Sequence, residues 1–318
     1  MHLGIDLGGT NIAAGLVDSS GKILARSTKP TLAASRSYSE ITLDIINLCH
    51  EVLQLANYNL DQIASLGLGV PGTVDHQHGI IIYANNFQGE NFPLAQELSK
   101  FFPNLTINLE NDANAATYGE YFLYCQNHSR PHIFLALTLG TGVGGGLILD
   151  NKIYRGFNNA GAEFGHSTLV HDGLTCSCGK KGCFEMYASV NALIQQTRQV
   201  ITSNPSTSLA KNLQSLDEID GKTIFNFAAR GDSLAQHVID QYLAYLADGI
   251  TSLINIFQPE ILVIGGGISR EGDKILHPIQ KFANQYSYDR HLPKTKIQIA
   301  QSFNDAGIIG AALAGINQ

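Results

Sequence analysis

The segment CSCGKKGC sets three thiols at Cys176, Cys178 and Cys183, and His166 stands shortly before them. Three thiolates and an imidazole are the donors of a tetrahedral Cys3His zinc site, and the C-x-C-x4-C spacing lets one ion gather the loop. Gly179 and Gly182 permit the sharp turns between ligands, while Lys180 and Lys181 offset part of the thiolate charge. Four protein ligands leave no open coordination position, so the predicted role of the Zn2+ is structural. A redox dithiol at Cys176 and Cys178, or cysteines that are merely incidental, are the alternatives these residues leave open. His171 reads as a surface residue outside the cluster.

Other candidate chemistry lies in glycine turns and carboxylates. DLGGTN, LGTGVGGG and IGGG each place glycines at the end of an apolar run, where backbone N–H groups can approach an anion without a Cβ in the way. Neither of the first two is a P-loop, because no GK[ST] follows, and Leu147 to Leu149 continues as strand where a dinucleotide fingerprint requires a helix. Any one of them alone could be a plain β-turn; together they point to a nucleotide-phosphate cradle. Asp6, just ahead of the first turn, suits Mg2+ held through water. Asn111-Asp112 opens a helix, for which an N-cap is the ordinary reading, with a general base taking a hydroxyl proton during attack on phosphorus as the functional one. Glu163 and Glu185 flank the cysteine cluster and are acceptors suited to sugar hydroxyls, with exposed ion-pair partners as the alternative.

These residues need elements to hold them. The chain has 318 residues, enough for two domains with a sizeable core each. A meander of antiparallel strands fills the first thirty residues, and apolar spacing predicts a helix over 38–56. A buried strand ends at Pro71-Gly72, and another at 105–109 runs into a helix over 113–124. The stretch HIFLALTLGTGVGGGLILD repeats the strand, glycine turn, strand layout of the start. Helices are predicted over 224–229 and 233–257, a surface loop over 202–221, a strand at EILVIGGGI, and a closely packed helix over 305–316.

Composition limits the partners. With 27 acidic against 20 basic residues the net charge is -7, so binding to nucleic acid through counterion release is not expected. No apolar run approaches the ~20 residues of a membrane span, and no signal peptide is expected. A cytoplasmic protein without a membrane partner is expected. Five cysteines, three of them crowded, favour a metal over disulfides in that setting.

The motifs DLGGTN, LGVPG at 68–72, ENDAN at 110–114, LGTGVGGG, AEFGH with CSCGKKGCFE, and NDAGIIGAAL at 304–313 occur in this order. In sequence and order they are similar to those of the ROK family (repressor, open reading frame, kinase) of bacterial sugar kinases. The resemblance implies the α/β, two-domain actin-like ATPase fold of sugar kinases, Hsp70 and actin, with a cleft between domains. It implies a smaller N-terminal domain of residues 1–115 plus 305–318 and a larger one, 116–304, carrying the zinc loop. The implied activity is ATP-dependent phosphorylation of a hexose 6-hydroxyl, with glucose as the leading substrate. A kinase of N-acetylglucosamine or N-acetylmannosamine is the runner-up, and fructokinase comes after it.

Carried over position by position, the catalytic base falls on Asp112. The sugar contacts fall on Gly72, Asn86, Asn111, Asp112, Glu163, His166 and Glu185, although NNFQGENF departs from the family spacing around Asn86. ATP phosphates meet Gly9, Thr10, Asn11, Thr141 and Gly142, and the adenosine lies near Gly265 and Gly266. Asn11 stands where many members have lysine. The zinc ligands fall on His166, Cys176, Cys178 and Cys183. A homodimer or homotetramer is implied as well. Among non-enzymes, a ROK repressor would need a DNA-binding segment ahead of Asp6, where no room is expected, and an inactive sugar sensor would not need both Asp112 and the glycine turns.

Overall fold

The computed structural model describes residues 1–85, 87–205, 207–211, 215–289, 291–302 and 305–315. In chain order the first elements are β1 (His2–Leu7), β2 (Asn11–Val17), β3 (Ile23–Pro30), α1 (Tyr38–Ala56), β4 (Ser65–Val70), β5 (Thr73–Asp75) and β6 (Ile80–Tyr83). Then follow α2 (Leu94–Ser99), β7 (Thr106–Asn111), α3 (Asp112–Asn127), β8 (Ile133–Leu139), β9 (Val143–Leu149) and β10 (Lys152–Ile153). The rest comprises α4 (Glu185–Ala188), α5 (Val190–Ser203), α6 (Ser208–Lys211), α7 (Thr223–Ala229), α8 (Ser233–Phe257), β11 (Ile261–Gly265), α9 (Asp273–Tyr286), β12 (Lys296–Ile299) and α10 (Ala306–Ala314).

Two compact units result: Met1–His132 with Gly146–Ala162 and Gln301–Gln318, and Ile133–Gly145 with Glu163–Ala300. The first holds a sheet of order β3-β2-β1-β4-β7, antiparallel from β3 to β1 and parallel from β1 to β7. β4 is buried at every residue, as a central strand covered on both faces must be, whereas β3 alternates toward solvent. Helix α1 has the bounds its apolar spacing predicts. Ser37 and Glu40 form a capping box at its start, and Asn57 in the left-handed conformation ends it.

Helix α10 packs into this unit at backbone distance. A Cβ on Gly67 of β4 would lie 1.8 Å from the Ala311 carbonyl oxygen, and one on Gly119 of α3 would lie 2.2 Å from that of Ala306. The close α3–α10 packing explains a difference from the expected division at 115/116: all of α3 belongs to the first unit, with 146–162 and 301–318.

In the second unit β11 pairs in parallel with β8 on one side and β12 on the other. Helix α8 starts at an Asp232 cap and buries Val238, Tyr242, Leu246 and Ile250. The segment 202–221, expected to be loop, contains α6 and a short helical turn at Leu216–Glu218, because Leu209 and Ile219 are buried there. Among the described residues no helix is long and apolar enough to cross a membrane.

Candidate active site

β4 and β7 run in parallel with Val70 opposite Asn111, so Pro71-Gly72 and Asp112 leave the sheet at the same end. Gly72 has φ +82°, and a Cβ there would lie 2.0 Å from the Tyr83 carbonyl oxygen, so only glycine fits. Its own carbonyl accepts the Asn111 side-chain amide at 3.0 Å. Asn111 Oδ1 accepts the backbone N–H of Asn114 at 3.0 Å, which makes Asn111 the N-cap of α3. Asp112 is therefore the first residue of the helix and does not cap it. Its Oδ1 accepts the Ala113 N–H at 2.8 Å.

Burial pushes the Asp112 carboxyl above its ordinary range, against the Ala113 N–H, which pulls it down. Asp6 sits on neighbouring β1, paired with Gly69. Burial, and then the Asp112 charge, push its carboxyl up to about 7. A cation beside Asp6 would relieve both causes, and a carboxylate is the donor type Mg2+ takes. Gly307 leaves room for this side chain, since a Cβ there would lie 2.5 Å from Asp6 Oδ2. The first glycine turn is closed by Gly8 N–H to the Asn11 carbonyl at 2.9 Å, and buried Thr31 braces it through its own N–H to Thr10 and its hydroxyl to Gly8. Gly9, Thr10 and Asn11 are exposed.

In the second unit, β8 and β11 are neighbouring parallel strands, so their glycine turns lie side by side at the strand ends where α/β sheets bind ligands. Gly266, at φ +86°, lies against Leu139, whose carbonyl oxygen would be 2.2 Å from a Cβ. The turn after β8 is tied by Gly140 N–H to the Gly142 carbonyl at 3.0 Å and by Val190 N–H to the Gly140 carbonyl at 2.9 Å. Thr141 on this turn is exposed. Glu185 reaches the same turn: its Oε2 accepts the Val143 N–H at 3.0 Å.

The metal-type cluster also lies in this unit. Donor atoms of His166, Cys176, Cys178 and Cys183 all lie within 4.8 Å of one another. Cys178 Sγ is 3.7 Å from Cys183 Sγ, and Cys176 Sγ is 3.6 Å from His166 Nδ1. A tetrahedral Zn2+ with bonds of about 2.3 Å to sulfur and 2.0 Å to nitrogen has edges of this size. The residues fit the ion, with Nδ1 as the nitrogen facing the thiols. Gly182, at φ +76°, passes where a Cβ would lie 1.7 Å from the Val170 carbonyl oxygen. The Lys180 N–H holds the Cys178 thiol low, and burial pushes Cys183 up to about 12. Lys180 Nζ donates to the His166 carbonyl at 3.0 Å, and His171 is exposed, as expected.

Thus Asp6, Gly72, Asn111 and Asp112 come together in one unit, and Thr141, Gly142, His166, Glu185, Gly265, Gly266, Cys176, Cys178 and Cys183 belong to the other. Glu163 is exposed, and its carbonyl accepts the His166 N–H at 3.1 Å. Asn86 lies outside the described residues. Glu110 and Arg155 are not among the expected site residues, yet buried Glu110 and partly buried Arg155 form an ion pair next to Asn111. Glu110 is at least inside the ENDAN motif; nothing in the sequence marks Arg155.

The chain belongs to the ROK family, which it matches over residues 2–316. It is 36% identical over 322 residues to a glucokinase of Streptomyces coelicolor, covering 98% of this chain and 96% of that one. Among solved structures it is similar to a ROK family glucokinase from Streptomyces griseus in complex with glucose and AMPPNP, with TM-score 0.84, 33% identity, and 98% and 97% of the two chains covered. A ROK hexokinase from Thermus thermophilus matches with TM-score 0.77 and 29% identity over 98% of this chain and 97% of that one. The fold is the two-domain actin-like α/β fold of ROK sugar kinases.

Proposed function

We propose that this protein is an ATP-dependent hexokinase that transfers the γ-phosphoryl group of ATP to the 6-hydroxyl of glucose. The observation that carries the reading is the Asp112 carboxyl, desolvated, raised in pKa and relieved of capping by Asn111. A general base works best with a pKa near the operating pH, and burial moves Asp112 in that direction. Asp112 takes the proton of the 6-hydroxyl while that oxygen forms a bond to the γ-phosphorus. The bond from phosphorus to the β–γ bridging oxygen breaks, and ADP leaves.

On this reading Gly9, Thr10, Asn11, Thr141 and Gly142 serve the phosphates, Gly265 and Gly266 the adenosine, and Gly72, Asn111, Glu163, His166 and Glu185 the sugar. Mg2+, held through Asp6, would neutralise charge on the phosphates. Zn2+ on Cys176, Cys178, Cys183 and His166 Nδ1 would fix the loop, leaving Nε2 of His166 to donate to a sugar oxygen. The glucokinase relatives support glucose over other hexoses.

The test is phosphorylation over a panel of hexoses with ATP. Glucose is expected to give the highest kcat/KM, and a preference for an acetylated hexosamine of about tenfold or more would overturn the substrate assignment. For the base, Asp112→Ala is expected to lower kcat by about 10²–10⁴ while glucose still binds.

A further inference from the structure

Arg155 lies between β10 and the AEFGH segment. Its Nε donates to Glu110 Oε2 at 2.8 Å, and its Nη2 lies 2.6 Å from the same oxygen. The other oxygen of Glu110 accepts the Asn111 backbone N–H at 3.0 Å and the Asn114 side-chain amide at 3.1 Å. Glu110 is only 6% exposed, so these four donors stand in for the water its charge has lost.

The arrangement follows from the sheet. β7 is an edge strand, and N–H groups on its outer side have no ladder partner. Glu110 provides one for Asn111. The same carboxylate holds the Asn114 side chain in the first turn of α3, where the Asn114 backbone is capped by Asn111. Asp112 stands between these two asparagines, so its backbone is held on both sides by groups that Glu110 orients. At its other end Arg155 accepts the Gly161 N–H at 2.9 Å on its carbonyl, closing a loop just before Glu163.

We infer that Arg155 is a positioning residue for phosphoryl transfer: through Glu110 it sets the corner that aims the Asp112 carboxyl, and through its carbonyl it closes the loop leading to Glu163. The inference rests on Asp112 acting as the general base. A purely structural staple would differ in a measurable way. Leaving the buried Glu110 carboxylate without its cation lowers the folded fraction, but each folded molecule would then keep its kcat.

The experiment uses the full chain as wild type, Arg155→Ala, Arg155→Lys, Glu110→Gln and Asp112→Ala. It reads kcat and both KM values per folded molecule, with and without guanidinium ion at concentrations that leave wild type folded. Arg155→Ala is expected to lower kcat about 100-fold, the scale of an ångström-sized misplacement, with each KM within about threefold of wild type. Guanidinium ion is expected to restore part of that kcat and to do nothing for Asp112→Ala. Arg155→Lys is expected to recover less than wild type, because an ammonium cannot offer the forked donors.

A kcat per folded molecule within about twofold of wild type in Arg155→Ala overturns the inference, as does a rise in KM alone. If Arg155→Ala does not fold, Arg155→Lys and Glu110→Gln decide: undiminished kcat in both overturns it, and a fall in both at unchanged KM supports it. A wild type without kinase activity, or an Asp112→Ala variant as active as wild type, overturns the underlying reading and the inference with it.

Discussion

Glu185 Oε2 accepts the backbone N–H of Val143 at 3.0 Å, and this bond joins the loop ending at Cys183 to the Gly140–Val143 turn. The fit leaves no room at Gly142, where a Cβ would lie 2.2 Å from that oxygen and 3.0 Å from the carboxyl carbon. Gly142→Ala must displace the carboxylate and strip the Val143 N–H of its partner. Nucleotide affinity is expected to fall about tenfold, the cost of one lost hydrogen bond with its geometry, while metal content stays that of wild type. Nucleotide titration with metal analysis of the same sample checks both. Wild-type affinity in Gly142→Ala would remove this turn from the phosphate site.

The cluster makes a separate prediction about metal. Protein purified without chelators is expected to hold about one equivalent of zinc, and less than about half an equivalent counts against the site. The stripped protein should melt at a lower temperature and recover on addition of Zn2+. Metal binding must displace protons from the thiols, including that of Cys183, which burial pushes up to about 12, so zinc affinity should weaken as pH falls. Metal analysis and calorimetry at two pH values read these outcomes.

A third prediction concerns the sign of a pH effect. The Asp6 carboxyl lies at about 7 in the folded protein against 3.8 for an ordinary aspartate. Between those values the folded state holds a proton that the unfolded state has lost, so this group's contribution to stability falls as pH rises from about 4 to about 7. Asp6→Asn, which cannot ionise, should be more stable than wild type at about pH 8, and the gain should vanish near pH 4. Mg2+ should raise the Tm of wild type more above pH 7 than below it, and that of Asp6→Asn little at either. Melting curves with and without Mg2+ decide the point; a gain for Asp6→Asn that does not depend on pH would show that ionisation of Asp6 is not its source.

The local features of this chain could be read from sequence because their causes are local. Ser37 and Glu40 sit three apart ahead of an apolar repeat, and α1 begins there. Cys176, Cys178 and Cys183 lie within one turn-rich loop whose Gly179 and Gly182 have a left-handed φ. The Asn111-Asp112 pair was ambiguous because both residue types cap helices, and only the Gly72 carbonyl and Asn114 N–H assign the cap to Asn111. Arg155 and Glu110 were illegible for a different reason. They are 45 positions apart, and nothing near either shows that β7 is an edge whose outward N–H needs a carboxylate. The return of the C-terminal helix to the first unit is legible from the motif order, whereas the place of α3 in that unit rests on the close approach of Gly119 to Ala306, which no local pattern marks.

The seating of α10 on the first sheet gives the last prediction. A Cβ at Gly67 would lie 1.8 Å from the Ala311 carbonyl oxygen and 2.6 Å from its carbon. Both are backbone atoms, which cannot swing aside as a side chain can, so the helix must move off β4. Gly67→Ala is expected to cost about 3 kcal/mol, the upper range for overpacking, and to lower Tm by roughly 6–12 °C. Gly140→Ala is the control for stability, because a Cβ there meets nothing within 4 Å. Thermal melts of the two variants beside wild type make the comparison. If Gly67→Ala melts with wild type, α10 does not rest on the backbone of β4, and the approach that holds α10 against Gly67 is absent in solution.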